Sequence, residues 1–363
     1  MSAEDSLKIP KVRTGQPSTK LSKDEFLLRW RQNFYDPAFE KREDALKALG
    51  EIAWEAYDDS RKSPRTRKAG SGFADPEHEM SVEWFDARDK IIAAQKQQAS
   101  SKTSRVLLIC ASPRTDQTCP SEMSKTFRLT KTAEEIFSAA AGVEVDLLDL
   151  SVLAAEYGRI IYPCKACVST AMPMCHWPCT CYPNHYMGQT QDWMNDIYPR
   201  WVAAHGVMVI TPVHWYQVPS TFKLMMDRLV CADGGNPDPT STHGKDPDEA
   251  KALELKGWDY PKHLAGRAFS VVVHGDVEGA DSVRRALHDW LSSLKLFPAG
   301  ESAVFDRYIG YYKPYATSHE DLDKDEAMFE ETRNAARALI TAMSDLRKGI
   351  HPADRDLKDP RSK

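Results

Sequence analysis

The chain has 363 residues, of which 42% are hydrophobic and 28% are charged, and this composition is that of a globular protein with a substantial core. Its formal net charge of -5 gives no support for nucleic acid as the main partner. No apolar run approaches the roughly 18 to 20 residues of a membrane span, and the N-terminal residues lack the apolar stretch of a secretory signal. We therefore expect a cytoplasmic protein with no membrane partner.

The N-terminal region contains no β-rich run but three segments with helix signals. Ser22 and Glu25 have the spacing of a capping box. Asp36 followed by Pro37 suits the start of a second helix that runs to about Tyr57, and a third helix is expected after residue 81. The second helix presents one apolar face, which comprises Leu46, Leu49, Ala53 and Tyr57.

The connection before the third helix is rich in Pro, Gly and charge, which is typical of an exposed loop. Its basic residues fit a solvated loop better than a phosphate contact. The N-terminal helices have too little apolar surface for an independent domain, so we predict that residues 1–103 form a helical extension packed on the main body or on a partner subunit. The basic residues are Arg61, Lys62, Arg65, Arg67 and Lys68.

From Arg105 onwards, short apolar runs alternate with helix-length segments. Near-continuous apolar runs indicate strands covered on both faces, and helix-length spacers indicate parallel crossovers. We therefore predict an open α/β domain over residues 104–349, followed by a polar tail over 350–363. The five predicted strands are 105–110, 143–150, 206–211, 268–275 and 301–310.

Ligands of such sheets lie outside the carboxyl ends of the strands, so the loops that follow the strands are the candidate binding loops. The first of these loops combines hydroxyl side chains and an arginine with a following helix N-terminus, and this combination suits a phosphate. The alternative is a loop rich in helix-capping residues that binds no ligand. Neither a P-loop nor a G-x-G-x-x-G motif occurs. Ser121 and Lys125 are too far apart for a hydrolase S-x-x-K pair.

Three motifs occur in the loops after the strands. The first loop contains S-P-R, the third strand is followed by T-P-V-x-W-x-x-x-P and K-x-x-x-D-R-L, and the fourth strand ends in H-G-D. In this combination the chain resembles the NAD(P)H-dependent FMN reductases of the flavodoxin-like superfamily over roughly residues 104 to 312. The resemblance implies a flavodoxin-like, doubly wound, five-stranded parallel sheet.

The resemblance also implies the residues that bind FMN. First-loop residues would hold the phosphate, residues after the third strand would line the isoalloxazine ring, and residues after the fourth strand would approach its pyrimidine edge. These groups are, in order, Ser112, Arg114, Gln117, Thr118 and Ser121; Pro212, Val213, His214 and Trp215; and His274, Gly275 and Asp276.

Two further roles follow from the motifs. His214 is the candidate for proton delivery, although a histidine between Val and Trp is more often a packed or surface residue. Helix packing and ion pairing are expected of Lys223, Asp227 and Arg228.

The implied activity is electron transfer from NAD(P)H through FMN to a small acceptor such as a quinone, a flavin, or a nitro or azo compound. The resemblance also implies a homodimer or tetramer, because family sites are completed by a second subunit. The alternative function is an electron-carrier flavoprotein whose N-terminal helices dock a protein partner.

Five cysteines lie between the second and third predicted strands, where stable disulfides are not expected in a reducing compartment. Cys164 and Cys167 form the C-x2-C start of an iron–sulfur motif, whereas Thr170 departs from the pattern of iron–sulfur flavoproteins. A [4Fe–4S] cluster, a zinc site and a metal-free loop over the flavin all remain open. The candidate ligands are Cys164, Cys167, Cys175, Cys179 and Cys181, and the aromatic neighbours are Trp177, Tyr182 and Tyr186.

Overall fold

The computed structural model describes residues 14–59, 63, 65–181, 192–314 and 317–350. Its strands are β1 (Thr66–Lys68), β2 (Glu79–Ser81), β3 (Ser104–Cys110), β4 (Val143–Asp149), β5 (Gly206–Pro212), β6 (Ala268–Gly275), β7 (Phe297–Pro298) and β8 (Val304–Tyr308). Its α-helices are α1 (Lys23–Gln32), α2 (Glu43–Asp58), α3 (Val82–Ser100), α4 (Lys125–Ala139), α5 (Val152–Ala155), α6 (Met194–Ala203), α7 (Ser220–Arg228), α8 (Pro247–Leu255), α9 (Ala280–Ser293), α10 (Ser318–Leu322) and α11 (Glu326–Arg347).

The chain divides by internal contacts into two units, each made of three segments. Unit 1 consists of Met1–Arg88, Lys165–Asp192 and Asn236–Trp258, and unit 2 consists of Asp89–Cys164, Trp193–Gly235 and Asp259–Lys363. This division follows contacts rather than composition, and it falls inside α3 rather than at the predicted boundary after residue 103. That boundary, like the polar tail, stays a prediction.

Unit 2 is built on a six-stranded sheet with the order β4-β3-β5-β6-β7, in which β8 also pairs with β6. Every pairing in this sheet is parallel. β7 and β8 both pair with β6 and together occupy the fifth position of the sheet. Counted in this way, the strand order is that of flavodoxin-like proteins. The predicted α/β class and parallel sheet are therefore confirmed.

The fifth position of the sheet differs from the prediction of one strand over 301–310. Phe297 and Pro298 pair with the beginning of β6, and the pairing resumes only at Val304, which lies opposite Val271. Gly300, with a φ of +121°, interrupts the extended backbone between them. One predicted strand position is thus occupied by two short strands in succession.

Both faces of the sheet are covered, as the apolar runs predicted. On one face Val106, Leu108 and Met208 pack with α4 and α11 in a single buried cluster. On the other face aromatic residues of α6, α7 and α9 meet, with the Trp290 ring 5.8 Å from that of Trp201. Because the central strands β3 and β5 are buried on both sides, their polar side chains lie only near the ends, where the loops begin.

The first two helices of unit 1 pack against each other. Ser22 and Glu25 form the predicted capping box at α1, and the Phe26 ring stacks on that of Tyr57 at 4.7 Å. A short 3-10 helix capped by Asp36 precedes α2, which is why α2 begins later than predicted. The predicted apolar face is wrong at Leu49, which is 53% exposed.

The remainder of unit 1 contains a short antiparallel hairpin of β1 and β2, which the sequence did not indicate. Residues 165–181 fold as two 3-10 turns rather than as a regular element. They are fastened to the segment that begins at Asn236, whose backbone N–H donates to the Cys175 carbonyl at 2.7 Å. Main-chain bonds and turns, rather than a sheet, hold this part of unit 1.

Within the described ranges, no helix is long and apolar enough to cross a membrane. Several sequence predictions fall outside the described residues, namely Arg61, Lys62, Tyr182, Tyr186 and all but the first residue of the 350–363 tail.

Candidate functional site

The candidate site lies at the carboxyl edge of the unit 2 sheet. The winding reverses between β3 and β5, because the chain continues from β3 outwards to β4 and then returns to β5 on the other side. The loops after these two strands therefore diverge and leave a crevice between them. The ends of β6 and β8 lie further along the same edge, since all these strands are parallel.

The loop after β3 is stabilised by its own polar groups. Ser112 is only 2% exposed, and its Oγ accepts the Arg114 backbone N–H at 3.2 Å. The Arg114 guanidinium donates to the Cys119 carbonyl at 2.8 Å. The hydroxyl and the guanidinium of the S-P-R motif thus have fixed positions at the mouth of the crevice.

The other predicted first-loop residues are exposed, whereas Ser112 is buried. They are Gln117, Thr118 and Ser121. The Thr118 hydroxyl donates to the Thr115 carbonyl at 2.7 Å, and the Ser121 N–H donates to the Thr118 carbonyl at 2.6 Å. Their polar groups thus close the loop on itself, and the helix that follows begins only after Ser124.

The N-terminus of α4 contributes residues that the sequence analysis missed. Ser124 caps the helix by accepting the Phe127 N–H at 3.1 Å. The adjacent Lys125 is 7% exposed and donates to the Ile309 carbonyl, at the end of β8, at 3.3 Å. Thr126 Oγ1 lies 2.9 Å from His274 Nε2, at the end of β6. The Ser124 hydroxyl, three residues before Phe127, was the available signal for this helix start.

Lys125 is the cation at the centre of this edge. Burial lowers the pKa of its ammonium group, while the Asp276 and Glu122 carboxylates act in the opposite direction. Because burial outweighs these carboxylates, a bound anion would stabilise the charged lysine. The first-turn N–H groups and the positive end of the α4 dipole add to the attraction for an anion at this point.

The loop after β5 brings the second predicted group to the crevice. The buried Val213 donates its N–H to the His274 carbonyl at 2.9 Å, which ties this loop to β6. His214 and Gln217 exchange backbone hydrogen bonds at 2.8 and 3.0 Å. Between them Trp215 and Tyr216 have positive φ values of 47° and 66°, and both side chains are exposed. The turn therefore presents two aromatic rings outward.

His214 is a poor acid near neutral pH in this environment. Partial desolvation of its ring lowers the pKa, and the nearby Arg114 charge lowers it further, while Asp276 opposes the shift. The ring is therefore neutral under conditions where an unperturbed histidine would begin to protonate.

The end of β6 supplies one buried and one exposed polar group. Burial lowers the pKa of His274 to about 3, with further contributions from Lys125 and His214, so its ring is neutral. A Cβ at Gly275 would lie 3.3 Å from the Val213 Cβ, which leaves little room for a side chain. The next residue, Asp276, is exposed at the mouth of the crevice.

The last residue of β8 and the loop that follows it complete this edge, and they were not predicted as site residues. Tyr308 and Tyr312 stack with ring centroids 4.8 Å apart, and Tyr312 is 92% exposed. Between them, a Cβ at Gly310 would lie 2.6 Å from both the Asp276 Cβ and the Tyr308 hydroxyl oxygen. Glycine is therefore required where this loop passes Asp276.

Residues 104–309 match the model of the family described as NADPH-dependent FMN reductase. The chain belongs to this family. It is accordingly a flavin-dependent NAD(P)H oxidoreductase, and the crevice at the carboxyl edge of its sheet coincides with the loops on which the family resemblance rests.

Solved structures related to this FMN reductase family member are distant in sequence. RosB with a bound 8-demethyl-8-formylriboflavin-5'-phosphate intermediate is 13% identical, with 72% of this chain and 90% of that chain covered and a TM-score of 0.46. An oxidoreductase from Corynebacterium diphtheriae is 15% identical, with 68% and 99% covered and a TM-score of 0.38. An NAD(P)H:quinone oxidoreductase from Methanothermobacter marburgensis is 15% identical, with 65% and 98% covered and a TM-score of 0.38.

At these TM-scores the likeness carries no argument about function, and the family assignment rests on the sequence match. A search of curated proteins found no match to this sequence.

The motif residues after the crevice loop have the expected structural roles in this FMN reductase family member. Lys223 and Asp227 form an ion pair one turn apart on α7. Arg228 is 4% exposed and donates to the Tyr162 carbonyl at 2.9 Å. These contacts anchor α7.

The five predicted metal ligands lie in the described part of the chain, where no metal-binding group is found. Among the described residues, no group of three or more His, Cys, Asp or Glu side chains could hold a metal ion. The Lys245 ammonium instead lies 2.8 Å from the Cys181 sulfur. A fixed cation at a thiolate opposes a metal cation at the same sulfur, so the residues do not fit a [4Fe–4S] cluster or a zinc ion.

Proposed function

We propose that the carboxyl edge of the unit 2 sheet binds FMN, and that the enzyme passes electrons from NAD(P)H to a small acceptor: a quinone, a free flavin, or a nitro or azo compound. The observation that carries this proposal is the convergence of two strand ends, those of β6 and β8, at the first turn of α4. Lys125 bonds to the chain after β8, and Thr126 bonds to His274 at the end of β6. Such a convergence at the switch point of an open sheet is where this fold binds its ligands.

Charge and hydrogen-bond donors at this point suit the FMN phosphate. Ser112 offers a buried hydroxyl, and Arg114 and Lys125 offer positive charge. The N-terminus of α4 adds its dipole and its first-turn N–H groups. We assign Ser124, Lys125 and Thr126 to the phosphate, beside Ser112 and Arg114. Gln117, Thr118 and Ser121 we assign to closing the loop.

The flanking loops suit a flat aromatic ring. The backbone at Val213 and His214, the exposed Trp215 and Tyr216, and Asp276 surround the part of the crevice beyond the phosphate residues. When bound there, FMN supplies hydride acceptance from a reduced nicotinamide and electron donation to the acceptor. The protein contributes binding, orientation and exclusion of water.

The role of His214 follows from its protonation state. Because its pKa is lowered, its imidazole is neutral near pH 7, and solvent is the better proton source. We therefore assign to His214 a backbone contact with the ring and no proton delivery.

We also propose that the enzyme is a homodimer or a tetramer. Trp215, Tyr216 and Tyr312 are 91%, 61% and 92% exposed in the single chain. Large aromatic side chains that are exposed together at the rim of a ligand site are typical of surfaces covered by a partner. Light scattering at micromolar concentration is expected to give twice or four times the mass of the chain. A monomeric mass would overturn this proposal.

FMN binding tests the central proposal. The double variant Ser112→Ala, Arg114→Ala is expected to be isolated without colour, because it loses a buried hydroxyl and a cation at the proposed phosphate site. The matched control is the double variant Ser293→Ala, Arg285→Ala on α9, whose side chains are exposed. The control is expected to retain FMN, as judged by the flavin absorbance of the purified protein. Full FMN occupancy in the first variant would reject the assignment of this loop.

The electron acceptor is tested by steady-state kinetics. NADPH and NADH oxidation by the FMN-loaded enzyme is measured with a quinone, free flavin, a nitroarene and an azo dye in turn. We expect turnover with at least one of these acceptors well above the rate with oxygen alone. No turnover with any acceptor, in protein with full FMN, would contradict the proposed substrate class.

A further inference from the structure

A second group of reactive side chains lies in unit 1 and has no part in the proposed FMN site. Four cysteines of residues 165–181 are joined by thiol hydrogen bonds: Cys167 contacts Cys175 and Cys181, and Cys181 contacts Cys179. Lys245 comes from another segment of unit 1, and its ammonium group lies 2.8 Å from the Cys181 sulfur and 3.6 Å from the Cys167 sulfur.

Geometry distinguishes two of these cysteines. The Lys245 ammonium donates to the Cys181 sulfur at 2.8 Å, whereas the Cys167 thiol donates to the Met174 carbonyl at 3.7 Å. An ammonium group in direct contact with a sulfur stabilises its thiolate form. The contacts therefore favour a Cys181 thiolate paired with the Lys245 ammonium, with the Cys167 thiol beside them.

Side-chain hydrogen bonds hold the residue next to this group. The neighbouring His176 is held between Thr180 and Thr242 at 2.7 and 3.2 Å, and burial lowers its pKa to about 3. A neutral His176 supplies no competing charge, so within the described part of the chain the Lys245 ammonium is the cation in contact with the Cys181 sulfur. Cys181 is 8% exposed and Cys167 is partly exposed, which suits a small reagent better than a macromolecule.

We propose that Cys181 and Cys167 form a redox-active thiol pair that is oxidised by hydroperoxides, with Lys245 as the positioning residue for the Cys181 thiolate. The thiolate is the nucleophilic form of cysteine, and reactive cysteines are typically found beside a lysine with a second thiol nearby to resolve the first product. This inference does not rest on the proposed flavin chemistry.

The chemistry proceeds in two balanced steps. First, the Cys181 sulfur attacks the terminal oxygen of the hydroperoxide; an S–O bond forms, the O–O bond breaks, and the departing alkoxide or hydroxide takes a proton from solvent. The product is a sulfenic acid. Second, the Cys167 thiol gives up its proton and its sulfur attacks Cys181; the S–S bond forms, the S–O bond breaks, and water leaves with that proton. Two electrons pass from the thiols to the hydroperoxide, and an external dithiol restores the pair.

The first experiment decides between this pair and a metal site. Full-length protein is purified without oxygen, and its iron, zinc and FMN contents are measured. We expect less than about one iron or zinc per ten chains. One equivalent of either metal that is lost in Cys167→Ser and Cys181→Ser would overturn the proposal. FMN content is read separately, so failure here is distinguishable from failure of the proposed function.

The second experiment follows the reaction itself. Hydrogen peroxide is added, free thiols are alkylated, and peptides are mapped by mass spectrometry. We expect a Cys167–Cys181 disulfide with the loss of two thiols, a sulfenic acid trapped by dimedone on Cys181 in Cys167→Ser, and no reaction at this group in Cys181→Ser. Cys119→Ser, which changes an exposed cysteine in unit 2, is the matched control and is expected to react as wild type. If Cys167, Cys175 and Cys179 were oxidised in Cys181→Ser as fast as in wild type, the proposal would be overturned.

The third experiment tests the role of Lys245. Lys245→Met is expected to slow peroxide oxidation at pH 7 by about 3- to 10-fold, because the Cys181 thiolate loses its ammonium partner while its contacts with Cys167 and Cys179 remain. The rate is expected to recover as the pH rises. Lys245→Arg retains the charge and is expected to keep most of the rate, and Lys251→Met on α8 serves as the control. An unchanged pH profile in folded Lys245→Met would remove Lys245 from the proposal.

Discussion

Lys125 in unit 2 and Lys245 in unit 1 are both withdrawn from solvent, yet their surroundings affect them in opposite ways. Burial dominates at Lys125 and lowers its pKa, even with Asp276 and Glu122 nearby. At Lys245 burial is again the largest single effect, but the hydrogen bond to Cys181 and the charges of Cys181, Cys167 and Cys179 together outweigh it and raise the pKa. The charge of Lys125 is poorly stabilised by the protein, so this lysine favours the binding of an anion. The charge of Lys245 is already paired with a thiolate, and it keeps that sulfur in its nucleophilic form.

The two sites also differ in how they are held. The Lys125 site is formed by the ends of parallel strands, which the sheet register fixes over a long distance in sequence. The Lys245 site is formed by turns, in which Asn236 bonds to the Cys175 and Pro173 carbonyls at 2.7 and 3.1 Å. A sheet edge gives an open crevice for a large ligand, while a turn-rich segment gives a small, enclosed group of side chains.

Acidification gives the largest expected effect on both regions, since each contains a buried neutral histidine. The pKa is lowered to about 3 in the fold for His274 of unit 2 and for His176 of unit 1. Between the ordinary value of 6.5 and about 3 the unfolded chain binds a proton that the folded chain does not, so stability falls as the pH falls through this window. The loss is at most about 3 kcal/mol per histidine at pH 4.

Urea unfolding at pH 7 and at pH 4 measures this effect. His274→Gln and His176→Gln are each expected to lose less stability than wild type between these two pH values, because neither glutamine takes up a proton. If only one variant shows this smaller loss, the two buried histidines are not equivalent. An unchanged pH dependence in both would contradict the neutral state assigned to them.

The anion-binding role of Lys125 gives the next largest effect. Lys125→Met is expected to weaken FMN binding by about 10- to 100-fold, which corresponds to the roughly 1.5–3 kcal/mol of a charge-assisted hydrogen bond. Lys131→Met, on the same helix but with an exposed ion pair to Glu134, is the matched control. Fluorescence titration of the apoprotein with FMN gives both affinities. Equal affinities for the two variants would mean that Lys125 only supports the loop after β8 through its bond to Ile309.

Removal of a helix cap gives the smallest expected loss of stability. Comparison of two caps also distinguishes an effect on stability from an effect on FMN binding. Ser22 caps α1 in unit 1, and Ser124 caps α4 in unit 2, each by accepting an N–H three residues on. Ser22→Ala and Ser124→Ala are each expected to cost about 1 kcal/mol of stability. Only Ser124→Ala is expected to weaken FMN binding as well, because only α4 begins at the proposed phosphate site. Weaker FMN binding in Ser22→Ala would contradict this distinction.

Most of the sheet could be predicted because a strand buried on both faces is a local apolar run. The first four predicted strands coincide with β3, β4, β5 and β6 to within two residues at each end. The fifth was misjudged because Gly300 breaks the extended backbone and divides the position between β7 and β8. The turns of residues 165–181 were not predictable in this way, because no periodicity marks them.

Only part of the candidate site could be predicted, because only some of its residues lie in short sequence motifs. Ser112, Arg114, His274 and Asp276 lie in short motifs, and the structure brings them to one edge. The loop before α4 contains several hydroxyl residues that could cap a helix, so its sequence did not single out Ser124 as the helix start. The motifs therefore predicted Gln117, Thr118 and Ser121 for the phosphate, whereas our proposal names Ser124, Lys125 and Thr126.

The sequence by itself determined the apolar runs of the strands, the capping box at Ser22 and the motifs that mark the family, because each depends on residues close together in the chain. The tertiary structure alone decided the environments of the two lysines. Lys125 meets Ile309 across 184 positions, and Lys245 meets Cys181 across 64. The charge state of a buried group depends on which distant groups the fold brings within a few ångströms of it, and local periodicity contains no record of those distances.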